Sequence, residues 1–180
     1  IIKNSKVKFY AQQTAIENGS IDISTIEDIF HEFTSKTFQI NDSLYDGGIL
    51  GAEKSLLGNL PEFSHSDNTV YILFVDIQDG YNQSNEFVSG FFDPADQEMC
   101  FECNEDNLCS VNYIFKESVC SESDGFWGSA GNGKNILYID TNPLFINADN
   151  YQNKLFVIAH ELQHLLHWNS DKKEGYFANE

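Results

Sequence analysis

Arginine is absent. All ten basic residues are lysines, and they face 28 acids, for a formal charge of -18. Such a chain repels phosphate backbones and lacks the planar guanidinium suited to gripping them, so nucleic acid is excluded as an expected partner. Long apolar runs are missing too. The stretches VYILFV and KLFVIA fall well short of the roughly 18 to 20 residues that cross a bilayer, so no membrane span is expected. Only three prolines occur, with no proline-rich linker and no internal repeat, which favours a single domain over residues 1–180. The opening IIKNSKVKF has no apolar core of the roughly 7 to 15 residues that a secretory leader needs; any leader is expected to have been removed or left out.

What is present suffices for a core: 41% hydrophobic residues, with 15 Phe and 8 Tyr. Ser24 and Glu27 form a capping-box pattern ahead of Ile26, Ile29, Phe30 and Phe33, which predicts a helix from about Thr25 to Lys36. A second helix is expected over Lys8 to Glu17, and a glycine-rich loop with a helical turn over Asp46 to Gly58. The run TVYILFVDI, Thr69 to Ile77, reads as a buried strand, with Phe87 to Phe92 as its neighbour and NILYID, Asn135 to Asp140, as a further strand. A cysteine-rich hairpin insertion is expected at about 97–122, its strands within Cys100 to Phe115 and its turn at Asn104 to Asn107, followed by a glycine-rich loop from Gly125 to Gly133. The strongest helix is predicted from Asn150 to Trp168. These elements make an α+β fold.

That last helix contains His160-Glu161-Leu162-Gln163-His164, an H-E-x-x-H pattern that a random chain of this length holds with a chance on the order of one per cent. Two histidines four residues apart project from one helical face and can reach one tetrahedral metal. Glu161 is placed beside a metal-bound water without being a ligand, which suits a general base. Val157, Ile158, Ala159, Leu162, Leu165, Leu166 and Trp168 supply the apolar flanks of a helix set into a core. A catalytic zinc takes a third protein ligand. The position ten residues after His160 is Ser170, which excludes the metzincin pattern; of the downstream acids Asp171, Glu174 and Glu180, the last closes Phe177-Ala178-Asn179-Glu180, whose N-E pair resembles the gluzincin third-ligand signature, and is preferred, with Glu174 in reserve.

The segment HELQHLLHWNSDKKEGYFANE, with VYILFVDIQDGYN, VSGFFDPAD and NILYIDTNP upstream, resembles the hyicolysin family of bacterial neutral zinc metallopeptidases, within the gluzincin, thermolysin-like clan. The likeness spans about Thr69 to Glu180, and Phe177 stands where the family has Trp. It implies a zincin-like catalytic subdomain in which a mixed β-sheet packs on the H-E-x-x-H helix. The implied ligands are His160, His164 and Glu180, with Glu161 as base. The family's C-terminal lobe is expected to be absent from the chain.

His167 lies on the metal face one turn beyond His164 and is expected to pack or support rather than ligate, and His31 and His65 have no motif around them. Cys100, Cys103, Cys109 and Cys120 fit disulfides in an oxidising compartment better than a zinc knuckle; pairing Cys103 with Cys109 would staple the hairpin and leave Cys100 with Cys120. Asp76, Asp79, Asp93, Asp96 and Asp140 gather at strand ends, where they serve as turn residues or hold Ca²⁺. The expectation is a secreted or cell-surface zinc endopeptidase acting on polypeptide substrates, with Zn²⁺ as cofactor and Ca²⁺ as a further candidate. A zincin-fold binding or adhesion domain with little turnover is the alternative.

Overall fold

The computed structural model describes residues 1–60, 68–84, 86–96, 100–103, 109–112, 127–129 and 134–170. The chain opens with β1 (Ile2–Lys3), β2 (Val7–Ala11), α1 (Gln13–Glu17) and α2 (Ile23–Thr34). The hairpin β3 (Phe38–Ile40) and β4 (Ser43–Tyr45) leads into α3 (Gly48–Leu57). There follow β5 (Val70–Val75), the single turn α4 (Tyr81–Ser84) and β6 (Gly90–Phe92). A separate three-stranded sheet holds β7 (Cys100–Cys103), β8 (Cys109–Asn112) and β9 (Trp127–Ser129), before β10 (Asn135–Asp140) and α5 (Tyr151–Ser170) close the described chain.

The main sheet has the order β1-β2-β5-β10-β6. Its centre, β2, β5 and β10, is parallel, and both edge strands run antiparallel to their neighbours. The mixed sheet and its helices make an α+β fold. Strand alternation sends Val7, Phe9, Val70, Ile72, Phe74, Leu137 and Ile139 to one face, where they share a core with Ile26, Ile29 and Phe33 of α2, Leu50 of α3, and Ile158, Leu162, Leu165 and Leu166 of α5. The opposite face carries half-buried aromatic pairs: Tyr10 stacks on Tyr71 and Phe91 on Tyr138, at centroid distances of 6.3 and 4.6 Å. Among the described residues no helix is long and apolar enough to cross a membrane.

Several elements differ from expectation. The helix expected over Lys8 to Glu17 is helical only from Gln13; Val7, Lys8 and Phe9 alternate between core and surface as β2, and pairing with β5 overrides the weak helical spacing. The loop expected over Asp46 to Gly58 is the ten-residue helix α3, held by packing against α2 and α5 rather than by propensity. It starts on Gly48, at φ +72, where a Cβ would stand 2.3 Å from the Phe33 carbonyl carbon, so only glycine admits the two helices this close. Asp22, not Ser24, caps α2, its carboxylate accepting from the Ser24 and Thr25 amides at 3.2 and 3.3 Å. The strand near Phe92 pairs with β10 rather than β5, and β9 lies within the span expected to be a glycine-rich loop. The cysteine hairpin is present as β7 and β8, whose register runs from Cys100↔Asn112 to Cys103↔Cys109. Its expected turn, 104–107, and Cys120 lie outside the described residues.

Candidate metal centre

Helix α5 has two unlike sides. Ile158, Leu162, Leu165 and Leu166 are fully buried against the sheet and the other helices. His160 and His167 are exposed and His164 half-buried on the outward side, next to Phe156, which is 72% exposed. A 3.6-residue period fixes this division, because positions 160 and 164 fall one turn apart while 158, 162 and 165 turn inward.

The two imidazoles meet edge to face, with centroids 4.6 Å apart, and their Nε2 atoms stand 3.1 Å from each other. Two nitrogens bound to one tetrahedral zinc at about 2.0–2.1 Å are separated by about 3.3 Å. The pair therefore needs to open by only a few tenths of an ångström to share a metal. The His160 ring also lies nearly parallel to that of Phe156, at 6.2 Å and 15°.

Glu161 lies between the two sides and is 7% exposed. Burial raises the pKa of its carboxyl group above the ordinary carboxylate value, opposed by the neighbouring His160 and by the Phe92 amide, which donates a hydrogen bond to it from edge strand β6. The approach of helix and strand depends on Gly90, where a Cβ would lie 2.7 Å from the Val157 side chain and 2.8 Å from the Tyr138 carbonyl oxygen. On its other flank α5 is tied to α3 by Gln163, whose Nε2 donates to Glu53 at 2.9 Å.

The structure thus brings His160 and His164 together and leaves Glu161 buried at the next helical position. Among the described residues no third histidine, cysteine or carboxylate completes a metal-binding group with them. Glu180 and Glu174 both lie outside the described residues. His31 is exposed at the end of α2, where its backbone carbonyl accepts from Ser35 and Lys36; His65 is outside the described residues.

The acids at strand ends have structural partners. Asp79 accepts from the Tyr81 and Val88 amides at 3.0 and 2.7 Å, which holds the loop between β5 and β6 and lowers its pKa. Asp96 accepts from the Tyr138 hydroxyl at 2.7 Å. Asp140, 1% exposed, accepts on Oδ1 from the Ile77 and Thr141 amides at 2.8 and 2.9 Å.

Lys154, which no sequence motif marks, is 1% exposed at the start of α5 and donates to the backbone carbonyl of Asp140. One signal was available. Lys154 falls four residues before Ile158, on the stripe that continues through Leu162 and Leu165, so a charge stands in an otherwise apolar face. Comparison of the chain with protein-family models and with curated proteins finds no match to either.

Proposed function

We propose that the chain is the catalytic part of a secreted zinc endopeptidase of the gluzincin type, similar to the hyicolysin family. One observation carries the reading: two imidazole Nε2 atoms stand 3.1 Å apart on one helix, and the residue that follows the first of them, Glu161, is buried. A structural zinc site has no use for such a base and fills its coordination with protein ligands. His160 and His164 would hold the metal with a carboxylate from the following segment, Glu180 in the first instance and Glu174 in reserve. Bound zinc supplies Lewis acidity, polarising a water and the scissile carbonyl.

The chain's own residues do the rest. Glu161 accepts the proton of the attacking water and returns it to the departing amine. The Phe92 amide, hydrogen-bonded to the carboxylate, keeps it oriented from β6. Because β6 is an edge strand of the main sheet, an extended polypeptide pairing along it would pass beside Glu161. Substrate recognition through the main chain suits an endopeptidase with broad sequence preference.

The test is metal analysis of the purified chain with cleavage of an unstructured protein such as casein, repeated with Glu161→Gln. Zinc at one equivalent and cleavage lost in the variant support the reading. Zinc bound without cleavage in either protein would favour the binding-domain alternative, and absence of zinc binding would remove the site.

A further inference from the structure

We infer that Lys154 is a positioning residue for the His160–Glu161–His164 constellation, its ammonium setting where along β10 and β6 the site helix is seated. The inference rests on the zinc-site reading above. Lys154 and Glu161 are seven residues apart, two helical turns, so they project from nearly the same line of α5 about 10 Å from each other. Both are buried, at 1% and 7% exposure. They reach two adjacent strands: Lys154 donates to the carbonyl oxygen of Asp140 at the end of β10, and Glu161 accepts from the Phe92 amide in β6. Between them Val157 packs on Gly90.

The acceptor is fixed from every side. The amide of Asp140 donates to Ser89, next to the start of β6, at 3.0 Å, and its carboxylate holds the Ile77 and Thr141 amides. Thr141 in turn donates to Val75 at the end of β5. One residue thereby joins β5, β6, β10 and the site helix. Leu155, Ile158, Leu162 and Leu165 add apolar contacts of α5 in the core. Apolar contact is non-directional and tolerates sliding or rolling of a helix, whereas a hydrogen bond at either end does not. Without the Lys154 end, the helix keeps its burial and loses its setting relative to the strand that orients Glu161.

Burial alone does not explain a lysine here. Desolvation holds its pKa down, to about 8, and the other carboxylate oxygen of Asp140, Oδ2, is buried with no hydrogen-bond partner. An apolar side chain of similar length would avoid the cost of desolvation, so the residue's contribution lies in direction rather than in packing.

The experiment measures Co²⁺ and Zn²⁺ affinity by chelator competition, and the visible spectrum of the Co²⁺ form, for the 180-residue chain and its Lys154→Met, Lys154→Gln and Asp140→Asn variants. Circular dichroism reports folding. The expected result is that both Lys154 variants fold, bind metal about tenfold more weakly, and show an altered Co²⁺ spectrum. Asp140→Asn, which keeps the backbone acceptor, should stay within about threefold of the parent. Affinity and spectrum unchanged in either folded Lys154 variant would overturn the inference, and so would loss of folding in both, which makes the residue structural. An Asp140→Asn defect as large as that of the Lys154 variants would also overturn it, by pointing to charge compensation. A parent chain that takes up neither metal would instead sink the zinc reading itself.

Discussion

At the scale of single residues, the two histidines and the glutamate between them should separate cleanly in experiment. His160→Ala or His164→Ala removes one of two nitrogens 3.1 Å apart, and the remaining ligands cannot hold zinc against a chelator. Dialysis followed by metal analysis should find zinc lost from both variants, and retention in both would remove the site. Glu161→Gln keeps the shape and the acceptor for the Phe92 amide but not the base. It should retain zinc and lower peptide hydrolysis by about 10²–10⁴-fold; undiminished turnover would assign water activation elsewhere. On the proposed reading the third ligand is one of two acids. Glu180→Gln should weaken zinc binding more than Glu174→Gln, and the reverse order in a chelator titration would transfer the role to Glu174.

At the scale of elements, the site depends on how closely α5 lies against β6. A side chain at Gly90 must displace Val157 and the Tyr138 carbonyl, so Gly90→Val should destabilise the fold by about 1–3 kcal/mol in denaturant titration and weaken zinc binding with it. Unchanged stability would mean that helix and strand are less tightly opposed. The H-E-x-x-H helix was legible because spacing alone fixes which residues share a face, and the strands at Val70 and Asn135 because their apolar runs are continuous. What the sequence hid was relational. Gly48 reads as a loop former and Gly90 as an ordinary strand residue, yet each marks a close approach between elements distant in sequence, and β2 carries too short an alternation to reveal that it pairs with β5. Lys154 and Asp140 show no motif at all, since their pairing arises only when the helix docks. The hairpin at Cys100 was legible from the polar run Asn104 to Asn107, and its register sets Cys103 opposite Cys109. Directly opposed antiparallel residues have Cα atoms about 4.5–5.5 Å apart, within disulfide reach. Peptide mapping of unreduced protein should recover Cys103 linked to Cys109; linkage of either to Cys100 or Cys120 would reject that pairing.

For the molecule as a whole, a net charge of -18 means that self-repulsion accompanies folding at every neutral or alkaline pH, and against that background a few buried groups give the pH profile its shape. Lys154 has its pKa lowered by burial from 10.5 to about 8, with Asp140 opposing the shift. Between those two values the unfolded chain holds a proton that the folded chain has released, so this group makes stability rise with pH. A displacement of that size is worth on the order of 3 kcal/mol across the window. Two half-buried tyrosines act in the opposite sense. Burial raises Tyr151 from 10.0 to about 12, and Tyr138 is shifted in the same direction by burial and by Asp96. Above pH 10 the folded chain therefore keeps protons that the unfolded chain loses, and stability falls. Unfolding free energies measured in denaturant from pH 7 to 11 should climb above pH 8, turn over near pH 10 and then decline. Lys154→Met should flatten the climb while leaving the decline in place. A climb that survives in the variant would show that Lys154 is not the group that gives up its proton on folding, and would count against its burial as the anchor of the site helix on β10.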